Sequence, residues 1–406
     1  MARTHGWPFP EEEIVKARFL SRPNRFLVRC ERDDGRPVSA FLPNPGRLWE
    51  LLLPGATLYI HRPRERDSRL ATRKTQHTVL AVERNGRPIF LHTHEANHVA
   101  RYLIENDLIP PLKGSKILGA EVPVGRSRFD FLLSESGKEL YLEIKSCTLF
   151  GNRIAMFPDA VTSRGRRHLL ELAEMSRRGI RSAVFFLVHY PDVEWFMPDF
   201  HTDLDFSTVL LQVRSEMEVI PAALGWRDDL TLDHRETSIL AIPWDSLERE
   251  AKDRGSYLLV VELNRTTRLR PGGLPADIFP EGHYVYVGSA MANLTQRLAR
   301  HQRRDKSPHW HIDYLTARAD RVLSLPIRSS QRLECAIADA LSSVLEPGPI
   351  GFGSSDCPCP THLFFSRSNP LHHAAFHDLL QSFRMRPPER PAVFQDPQLA
   401  SNRVRR

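Results

Sequence analysis

Short apolar runs alternate with polar residues over the first 92 positions, and loops rich in Gly, Pro, Asn and Asp separate the runs. The pattern predicts six strands, at positions 14–20, 25–31, 38–42, 57–61, 78–83 and 88–92. Short strands at this spacing are typical of a small β-barrel. We therefore predict a barrel of the OB type over residues 1–92.

Basic residues on this predicted barrel are candidates for contact with nucleic acid. Arg22, Arg25, Arg47 and the run 62–66 could supply a positively charged surface. Barrels of this type commonly bind single strands through basic and aromatic residues. The alternative is a solvated edge that only packs against its neighbour.

Two alternating runs, 128–133 and 139–146, flank a polar loop that contains Gly137, and they predict a β-hairpin. If Ser134 faces Glu139, Asp130 lies opposite Glu143. Alternation then places on one face the polar residues Asp130, Glu143 and Lys145, and on the other the apolar residues Phe129, Phe131, Leu140, Leu142 and Ile144.

The polar face of this hairpin predicts a metal site. Two carboxylates that face each other across strands repel by up to about 1 kcal/mol. A divalent cation between Asp130 and Glu143 would remove that penalty, and Mg²⁺ or Mn²⁺ accepts such oxygen ligands. Lys145 could then orient a water or stabilise charge on a phosphate. The alternative is a solvated face with a Glu–Lys ion pair.

The segments around the hairpin predict an α/β layer. A helix is expected at 95–105, and then a strand at 118–124 that carries Glu121. A helix capped by Thr162 or Ser163 should run to about Arg178, and the continuous apolar run 182–188 predicts a strand buried on both faces. Helices would then flank a central sheet.

Composition adds a preference for phosphate-bearing partners. The chain has 406 residues, which favours about two to four domains, and an Arg-rich excess gives a net charge of +7. Five cysteines argue against a disulfide framework and for a reducing, cytoplasmic setting. The N-terminus has no apolar signal core, and no run approaches about 18 apolar residues, so we expect no membrane association.

The first half of the chain resembles the sugar fermentation stimulation protein A family, over about residues 14–225. The segments that carry the resemblance are Pro43-Asn44-Pro45-Gly46-Arg47-Leu48, Ala96-Asn97, Glu121, Arg128-Phe129-Asp130-Phe131, Glu143-Ile144-Lys145-Ser146, Phe157-Pro158-Asp159-Ala160-Val161-Thr162, Arg164-Gly165 and His168. The resemblance implies an OB-like barrel followed by a PD-(D/E)xK-like domain, with DNA binding or nuclease activity. One departure is Leu-Pro-Asn-Pro-Gly at 42–46, where the family usually has Cys-Pro-Asn-Thr-Gly.

The resemblance suggests further site residues near the hairpin. Asn44 would join the nucleic-acid-binding set and Glu121 the metal ligands. Arg164 and His168 share a helix face at i, i+4 and could meet a phosphate at the helix start, although a solvated basic face is the alternative. Asp159 could extend the metal shell or cap the helix.

The second half predicts strands at 255–261 and 283–290, a helix at 294–302 and another at 331–345. This set resembles the GIY-YIG endonuclease family, with an inserted segment at 265–282, and the resemblance extends over residues 255–366. The residues at the motif positions are Tyr257, Tyr286, Arg297, His301 and Glu334. The resemblance implies that a tyrosine or a water supplies the attacking oxygen, that Arg297 binds phosphate and that Glu334 holds one cation.

Two further groups in this half could bind ligands. Arg303, Arg304, Lys306, His309 and His311 are expected on the nucleic-acid-facing surface. Cys357, Cys359 and His362 suggest zinc only weakly, since C-x-C is tight and the fourth ligand would have to be Cys335, His309 or His311. We interpret these thiols as buried beside a nucleic-acid groove.

The sequence thus predicts a multidomain α/β (α+β) chain. Its parts would be an OB-like barrel (1–92), a PD-(D/E)xK nuclease-like domain (93–235), a linker (236–254), a GIY-YIG-like α+β domain (255–368), and a helix with a basic tail (369–406). We expect hydrolysis of nucleic acid, DNA before RNA, at two sites that need Mg²⁺ or Mn²⁺. The alternative is a DNA-binding regulator that keeps both folds without turnover. The oligomeric state is left open.

Overall fold

The computed structural model describes residues 14–62, 75–125 and 127–388. Most of the basic run 62–66 and the basic tail from 389 onward therefore lie outside the described residues. None of the helices in the described ranges is long and apolar enough to cross a lipid bilayer.

The first part of the chain is a small barrel. Its strands are β1 (Ile14–Asn24), β2 (Leu27–Arg32), β3 (Pro37–Phe41), β4 (Thr57–His61), β5 (His77–Arg84) and β6 (Arg87–Phe90). They pair in the order β3-β2-β1-β4-β5-β6, and a parallel pairing of β3 with β5 closes the first five into a barrel. On β1, Ala17 and Phe19 are buried while Lys16 and Arg18 are exposed, as the alternation predicts.

The second part is a mixed sheet with helices on both faces. Its elements are α1 (Ala96–Glu105), β7 (Lys116–Val124), β8 (Ser127–Glu135), β9 (Lys138–Cys147), β10 (Leu149–Gly151), β11 (Ile154–Phe157), α2 (Ser163–Arg177), β12 (Arg181–Val188), β13 (Trp195–Pro198), α3 (Leu204–Val213), β14 (Glu218–Trp226), β15 (Leu232–Ile239) and α4 (Trp244–Glu250). The central sheet has the order β15-β14-β12-β9-β8-β7, and β10, β11 and β13 form a small second sheet. Segment 236–254, expected to be a linker, contains α4 and the end of β15.

Strand β12 lies in the middle of this sheet and separates two cores. Val184, Phe186 and Val188 pack in a cluster with residues of α2 and α3, which also includes the core of the barrel. Phe185 and Leu187 pack on the other face with residues of α1. A strand buried on both faces reads as a continuous apolar run, which confirms the interpretation of segment 182–188.

The hairpin of β8 and β9 has the predicted register. Ser134 pairs with Glu139, and the ladder continues to Phe131 opposite Leu142. The prediction was wrong for Phe129, which packs against His168 in the α2 core instead of joining Phe131 beside α1. The pairing of β8 with β9 stops at Phe131, and beyond it the Asp130 side chain accepts the backbone N–H of Ile144, at 2.7 Å.

The third part is an antiparallel sheet. Its elements are β16 (Gly255–Leu263), β17 (Thr267–Leu269), β18 (Asp277–Phe279), β19 (Gly282–Ala290), α5 (Leu294–Gln302), α6 (His311–Thr316), β20 (Arg321–Arg328), α7 (Glu334–Ser342), β21 (Glu346–Pro347), β22 (Leu363–Ser366) and α8 (Ala374–Arg384). The order is β20-β16-β19-β22-β21, and the inserted segment forms the separate hairpin β17–β18.

Helix α8 connects the second and third parts. The Arg384 side chain donates to the carbonyl of Pro326 in β20 at 2.9 Å, while its own carbonyl lies 2.9 Å from Nε2 of His201. His201 in turn accepts the backbone N–H of Arg328 at 2.9 Å. The helix end is thus bound to both sheets.

Candidate active sites

A cavity of about 490 Å³ lies where the barrel meets the central sheet. We call it the first site. Its lining includes residues from the barrel loop, α1, β7, the hairpin and the start of α2, among them Asn44, Gly46, Asn97, Glu121, Asp130, Glu143, Lys145, Asp159 and Arg164. The predicted carboxylates and Lys145 therefore face one common space.

Asn97 on α1 holds two acidic side chains at this cavity. Its Nδ2 donates to Asp130 Oδ1 at 2.8 Å and to Glu121 Oε1 at 3.3 Å. The other Asp130 oxygen accepts the N–H of Ile144. Burial, and then the charge of Glu143, raises the pKa of Asp130. In the sequence, Asn97 belongs to the Ala96-Asn97 segment that carries the family resemblance, but no role at the site was predicted for it.

Glu143 is 4% exposed and its two oxygens have different surroundings. Oε1 accepts hydrogen bonds from Lys145 Nζ and from His168 Nδ1. Oε2 is buried and has no hydrogen-bond partner among the described residues. Burial favours the neutral carboxyl, but the bonds from His168 and Lys145 outweigh it and lower the pKa of Glu143 below its ordinary value.

These residues fit a divalent cation. The unpartnered Oε2 of Glu143 is an ionised oxygen that burial makes costly to leave bare. Asp130 and Glu121 contribute further carboxylates to the same cavity, and hard cations such as Mg²⁺ prefer oxygen ligands of this kind.

His168 lies inside the protein and not on the expected nucleic-acid surface. It is 1% exposed, and its bond to Glu143 assigns the proton to Nδ1. Nε2 can then accept from Arg164 Nε, 3.4 Å away, and Arg164 is itself exposed at the cavity. This corrects the expectation for His168: it positions Glu143, while Arg164 stays available to a phosphate.

The barrel loop at 44–47 is fixed by internal bonds. Asn44 is buried, with Nδ2 donating to the Leu91 carbonyl at 3.1 Å and Oδ1 accepting from Gly46 at 2.9 Å. Arg22 donates to the carbonyls of Arg47 and Asn44 at 2.7 and 3.0 Å. These polar groups, expected to bind nucleic acid, instead hold the loop.

Asp159 connects the same loop to the sheet domain. Its carbonyl accepts from Arg47 Nε and its carboxylate from the N–H of Leu48, at 3.3 Å. A Cβ at Gly46 would lie within 2.9 Å of Asp159 Oδ1, so only glycine fits this approach. Burial raises the pKa of Asp159 despite the charge of Arg47. The cap of α2 is Thr162, whose Oγ1 accepts from Gly165 at 3.0 Å, and not Asp159.

Arg25 differs from Arg22 and Arg47 because its side chain is exposed. Phe26 beside it is 47% exposed and stacks on Phe41. Arg25 and Phe26 are thus open to a ligand on the barrel surface.

A second site lies in the C-terminal sheet. Tyr257 and Tyr286 are buried on neighbouring strands with ring centroids 6.4 Å apart, and the Tyr257 hydroxyl lies 2.8 Å from His301 Nε2. Gly288 is required here, because a Cβ there would lie 2.9 Å from Cε2 of the Tyr257 ring and closer still to its hydroxyl end. Burial raises the pKa of both tyrosines and lowers that of His301.

Asp313 lies behind His301 and was not predicted to have a role. One of its oxygens is 3.7 Å from His301 Nδ1, and Arg300 binds both oxygens at 3.0 Å. Burial opposes ionisation, but the nearby His301 ring and the hydrogen bonds from the backbone N–H groups of Trp310 and His309 and from Arg300 lower the pKa of Asp313 far below its ordinary value. The Tyr257 hydroxyl therefore contacts one side of the His301 imidazole, and the Asp313 carboxylate lies near the other side.

Arg297 and Glu334 complete the second site. The Arg297 guanidinium lies 4.1 Å from the centre of the Trp310 ring, which fixes its position. Glu334 Oε2 accepts from Ser289 Oγ at 2.5 Å, and Oε1 lies 3.4 Å from His362 Nδ1. The charges of Arg297 and Glu334 both act on the pKa of Tyr257 and on that of Tyr286, and Arg297 also acts on that of His301, so the five motif positions lie in one neighbourhood.

The basic residues after α5 divide into two groups. Arg303, Arg304 and His309 are exposed, as a nucleic-acid surface requires. Lys306 is 5% exposed at its side chain, lies 3.2 Å from Asp313 and donates to the His301 carbonyl at 2.9 Å. His311 Nδ1 accepts the N–H of Gly353 at 3.1 Å. Lys306 is therefore an internal support and not the predicted phosphate contact.

Of the three candidates for a fourth ligand, Cys335, His309 and His311, the structure brings Cys335 to the group of Cys357, Cys359 and His362. One ligand atom each from Cys335, Cys357, Cys359 and His362 lie within 4.8 Å of one another. Cys335 is exposed and the other two thiols are half-buried, so the description as buried thiols was wrong.

Three family models match successive parts of the chain. They are the SfsA N-terminal OB domain at residues 20–91, the sugar fermentation stimulation protein RE domain at 94–229 and the domain of unknown function DUF123 at 256–385.

Individual proteins agree with these matches. The sugar fermentation stimulation protein homolog of Moorella thermoacetica is 41% identical over 198 residues, which is 48% of this chain and 83% of that protein. The homolog of Clostridium tetani is 36% identical over 202 residues, covering 50% and 85%. Among solved structures, SfsA of Pyrococcus furiosus in complex with Ca²⁺ is 28% identical with a TM-score of 0.53, covering 59% of this chain and 99% of that one.

Proposed function

Since the chain belongs to the sugar fermentation stimulation protein family and carries a GIY-YIG-like domain C-terminal to the part that matches this family, we propose that it hydrolyses nucleic-acid phosphodiesters at two sites. DNA is the proposed substrate, in keeping with the Arg-rich net charge of +7. The main support for the proposal is the environment of the buried Glu143. Lys145 and His168 donate hydrogen bonds to its Oε1, whereas its Oε2 has no partner among the described residues and can bind a cation.

Mg²⁺ or Mn²⁺ is the proposed cofactor of the first site, held by Asp130 and Glu143 with Glu121 nearby. When bound, the cation would supply Lewis-acid stabilisation of phosphate charge. The calcium complex of the Pyrococcus furiosus relative supports a divalent cation in this family.

The residues of the first site would act around the scissile phosphate as follows. Lys145 Nζ, held beside Glu143, would orient the attacking water or stabilise charge that develops on the phosphate. Arg164 would bind a neighbouring phosphate at the cavity mouth. Asn97 and His168 would keep the two carboxylates in position, since supporting groups of this kind orient ligands.

At the second site, we assign proton transfer to Tyr257 and His301. His301 is neutral at pH 7 because burial lowers its pKa, so Nε2 can accept the proton of the Tyr257 hydroxyl while that oxygen takes a proton from the attacking water. Asp313 would stabilise the imidazolium that forms, and Arg297 would bind the phosphate. Glu334 is the proposed ligand of a cation here.

The test is cleavage of labelled single-stranded and duplex DNA, and of RNA, by the full chain with Mg²⁺ or Mn²⁺. We expect cleavage that EDTA abolishes and that the double variant Asp130→Asn, Glu334→Gln lacks. If the wild-type chain binds DNA with steep salt dependence but cleaves nothing at any cation concentration, it is a binding protein and the proposal fails.

A further inference from the structure

Three of the five cysteines meet at one place in the C-terminal domain. Cys335 is the second residue of α7, whereas Cys357, Cys359 and His362 lie on the loop that leads into β22. Their ligand atoms lie within 4.8 Å of one another, and Cys357 Sγ is 3.3 Å from His362 Nε2. Two separate segments of the chain thus converge on a common point.

The distances fit a tetrahedral ion with small shifts. Ligand atoms at the usual Zn–S distance of about 2.3 Å stand about 3.8 Å apart around a tetrahedral centre. Thiolate and imidazole donors select zinc over the hard cation proposed for the first site, because Mg²⁺ prefers oxygen. Three cysteines with one histidine is also a ligand set of closed structural zinc sites.

The histidine is oriented as a zinc ligand should be. His362 is 1% exposed, its Nε2 faces the thiols and its Nδ1 lies 3.4 Å from Glu334 Oε1. A proton on Nδ1 would point toward the carboxylate and leave the Nε2 lone pair for a metal. Such carboxylate–histidine–zinc arrangements commonly fix the tautomer and the ring.

The other two cysteines have different surroundings. Cys30 and Cys147 are fully buried, apart from the cluster, and their thiols lie 3.6 and 3.1 Å from the carbonyls of Val38 and Met156. They behave as small core residues. They therefore provide internal controls within the same chain.

We propose that Cys335, Cys357, Cys359 and His362 bind one Zn²⁺ in a closed structural site. The ion would fix the loop that forms a wall of the second site: Phe352 packs on Tyr286 at 6.2 Å, and the backbone of Gly353 lies against the same ring. With four protein ligands, the zinc has no open position for a water, so it is distinct from the proposed hydrolytic cation. This inference does not depend on nuclease activity.

The first experiment measures metal content by elemental mass spectrometry on the full chain, purified without chelators after growth in zinc-supplemented medium. We expect about one zinc per chain, and at least about fivefold less in Cys335→Ser and Cys359→Ser. Cys30→Ser and Cys147→Ser should keep the wild-type content. Replacement by Co²⁺ should give the visible absorption bands of a tetrahedral thiolate complex.

A second measurement uses the wild-type chain alone and so avoids variants that fail to fold. Alkylation followed by mass spectrometry should find Cys335, Cys357 and Cys359 protected in the zinc-loaded chain and reactive after chelation. A chain with no zinc, one with iron and an iron–sulfur absorption spectrum, or one with a disulfide among these cysteines would each overturn the proposal.

Discussion

The carboxylates at the centres of the two sites differ in what they already bind. At the first site, Glu143 commits Oε1 to Lys145 and His168 and leaves Oε2 without a partner among the described residues. At the second, Glu334 has Ser289 at one oxygen and His362 near the other. The first carboxylate therefore keeps one oxygen for the proposed cation, whereas the second would have to exchange or share a contact to hold one.

The two sites also differ in the polar groups that would act on the substrate. The first site has an ammonium, Lys145, beside its acidic ligand, which suits charge stabilisation. The second has a tyrosine whose hydroxyl is bonded to a histidine backed by Asp313, which suits proton transfer. The two sites would therefore use different side chains for the same proposed reaction.

The substitution Glu143→Gln should have the largest effect. It removes the charge that would hold the cation, and we expect at least a 1,000-fold loss of first-site cleavage, about a decade beyond the loss typical of supporting residues. The rate is measured in a Glu334→Gln background, so that only the first site is observed. Glu139→Gln, exposed on the same strand, is the matched control and should be neutral.

Tyr257→Phe should reduce cleavage by the second site about 100-fold, the lower end of the range for general acid–base groups. The background here is Glu143→Gln. The control is Tyr284→Phe, since that hydroxyl only donates to the Pro280 carbonyl at 2.8 Å. Equal losses in both variants would indicate a general loss of packing and would contradict a proton-transfer role.

His168→Ala should weaken cation binding at the first site by about 10- to 100-fold, because Glu143 loses a positioning partner. Titration calorimetry with Mn²⁺ measures this without any need for turnover. Arg167→Ala, one position earlier and exposed, should bind as wild type does. An unchanged affinity in His168→Ala would mean that Lys145 alone orients Glu143.

The two sites should also respond differently to acid. The pKa of Asp130 is raised above its ordinary 3.8 and that of Glu143 is lowered, so protonation of Asp130 should limit the first site as pH falls. The pKa of His301 is lowered below 6.5, so the second site should stay active below that pH. At each site, the cleavage rate should fall about tenfold for each pH unit below the pKa of the group whose protonation stops the reaction, Asp130 or His301. Profiles of the two single-site variants check this.

Arg164→Ala should have the smallest effect. Loss of one phosphate contact should weaken DNA binding a few-fold for every sequence and lower the salt slope by about 1. Fluorescence anisotropy at several salt concentrations measures both values. Arg178→Ala, at the far end of α2 and paired with Glu174, is the control and should leave the slope unchanged.

Local patterns predicted much of the fold. The alternation around Gly137 predicted the pairing of Ser134 with Glu139, and the apolar run 182–188 predicted a strand buried on both faces. Helix α5 has the predicted bounds, Leu294–Gln302. These features depend on neighbours in sequence, so the side-chain period alone is informative.

Long-range packing explains what the sequence did not predict. His168 and Lys306 are charged or titratable residues in exposed-looking contexts, yet each turns inward to an acidic partner. Cys335 was one of three candidates for a fourth ligand, and the choice among them depends on the packing of α7 beside the loop before β22. Phe129 packs beside His168 of α2, a contact between segments about 40 residues apart that its place in the alternating pattern does not predict. Composition and periodicity contain no information about such contacts between distant segments.

The bond network at the end of α8 has a consequence for how this chain can be divided. His201 links the carbonyl of Arg384 to the backbone of Arg328, and Asn152 donates to the carbonyl of Met385 at 3.1 Å. Cutting the gene near residue 254 would remove α8 and its contacts with His201 and Asn152 from the first fragment. In the second fragment, the backbone N–H of Arg328 would lose its partner, His201. The two halves are therefore best expressed and compared as one uninterrupted polypeptide, each silenced in turn by point substitution.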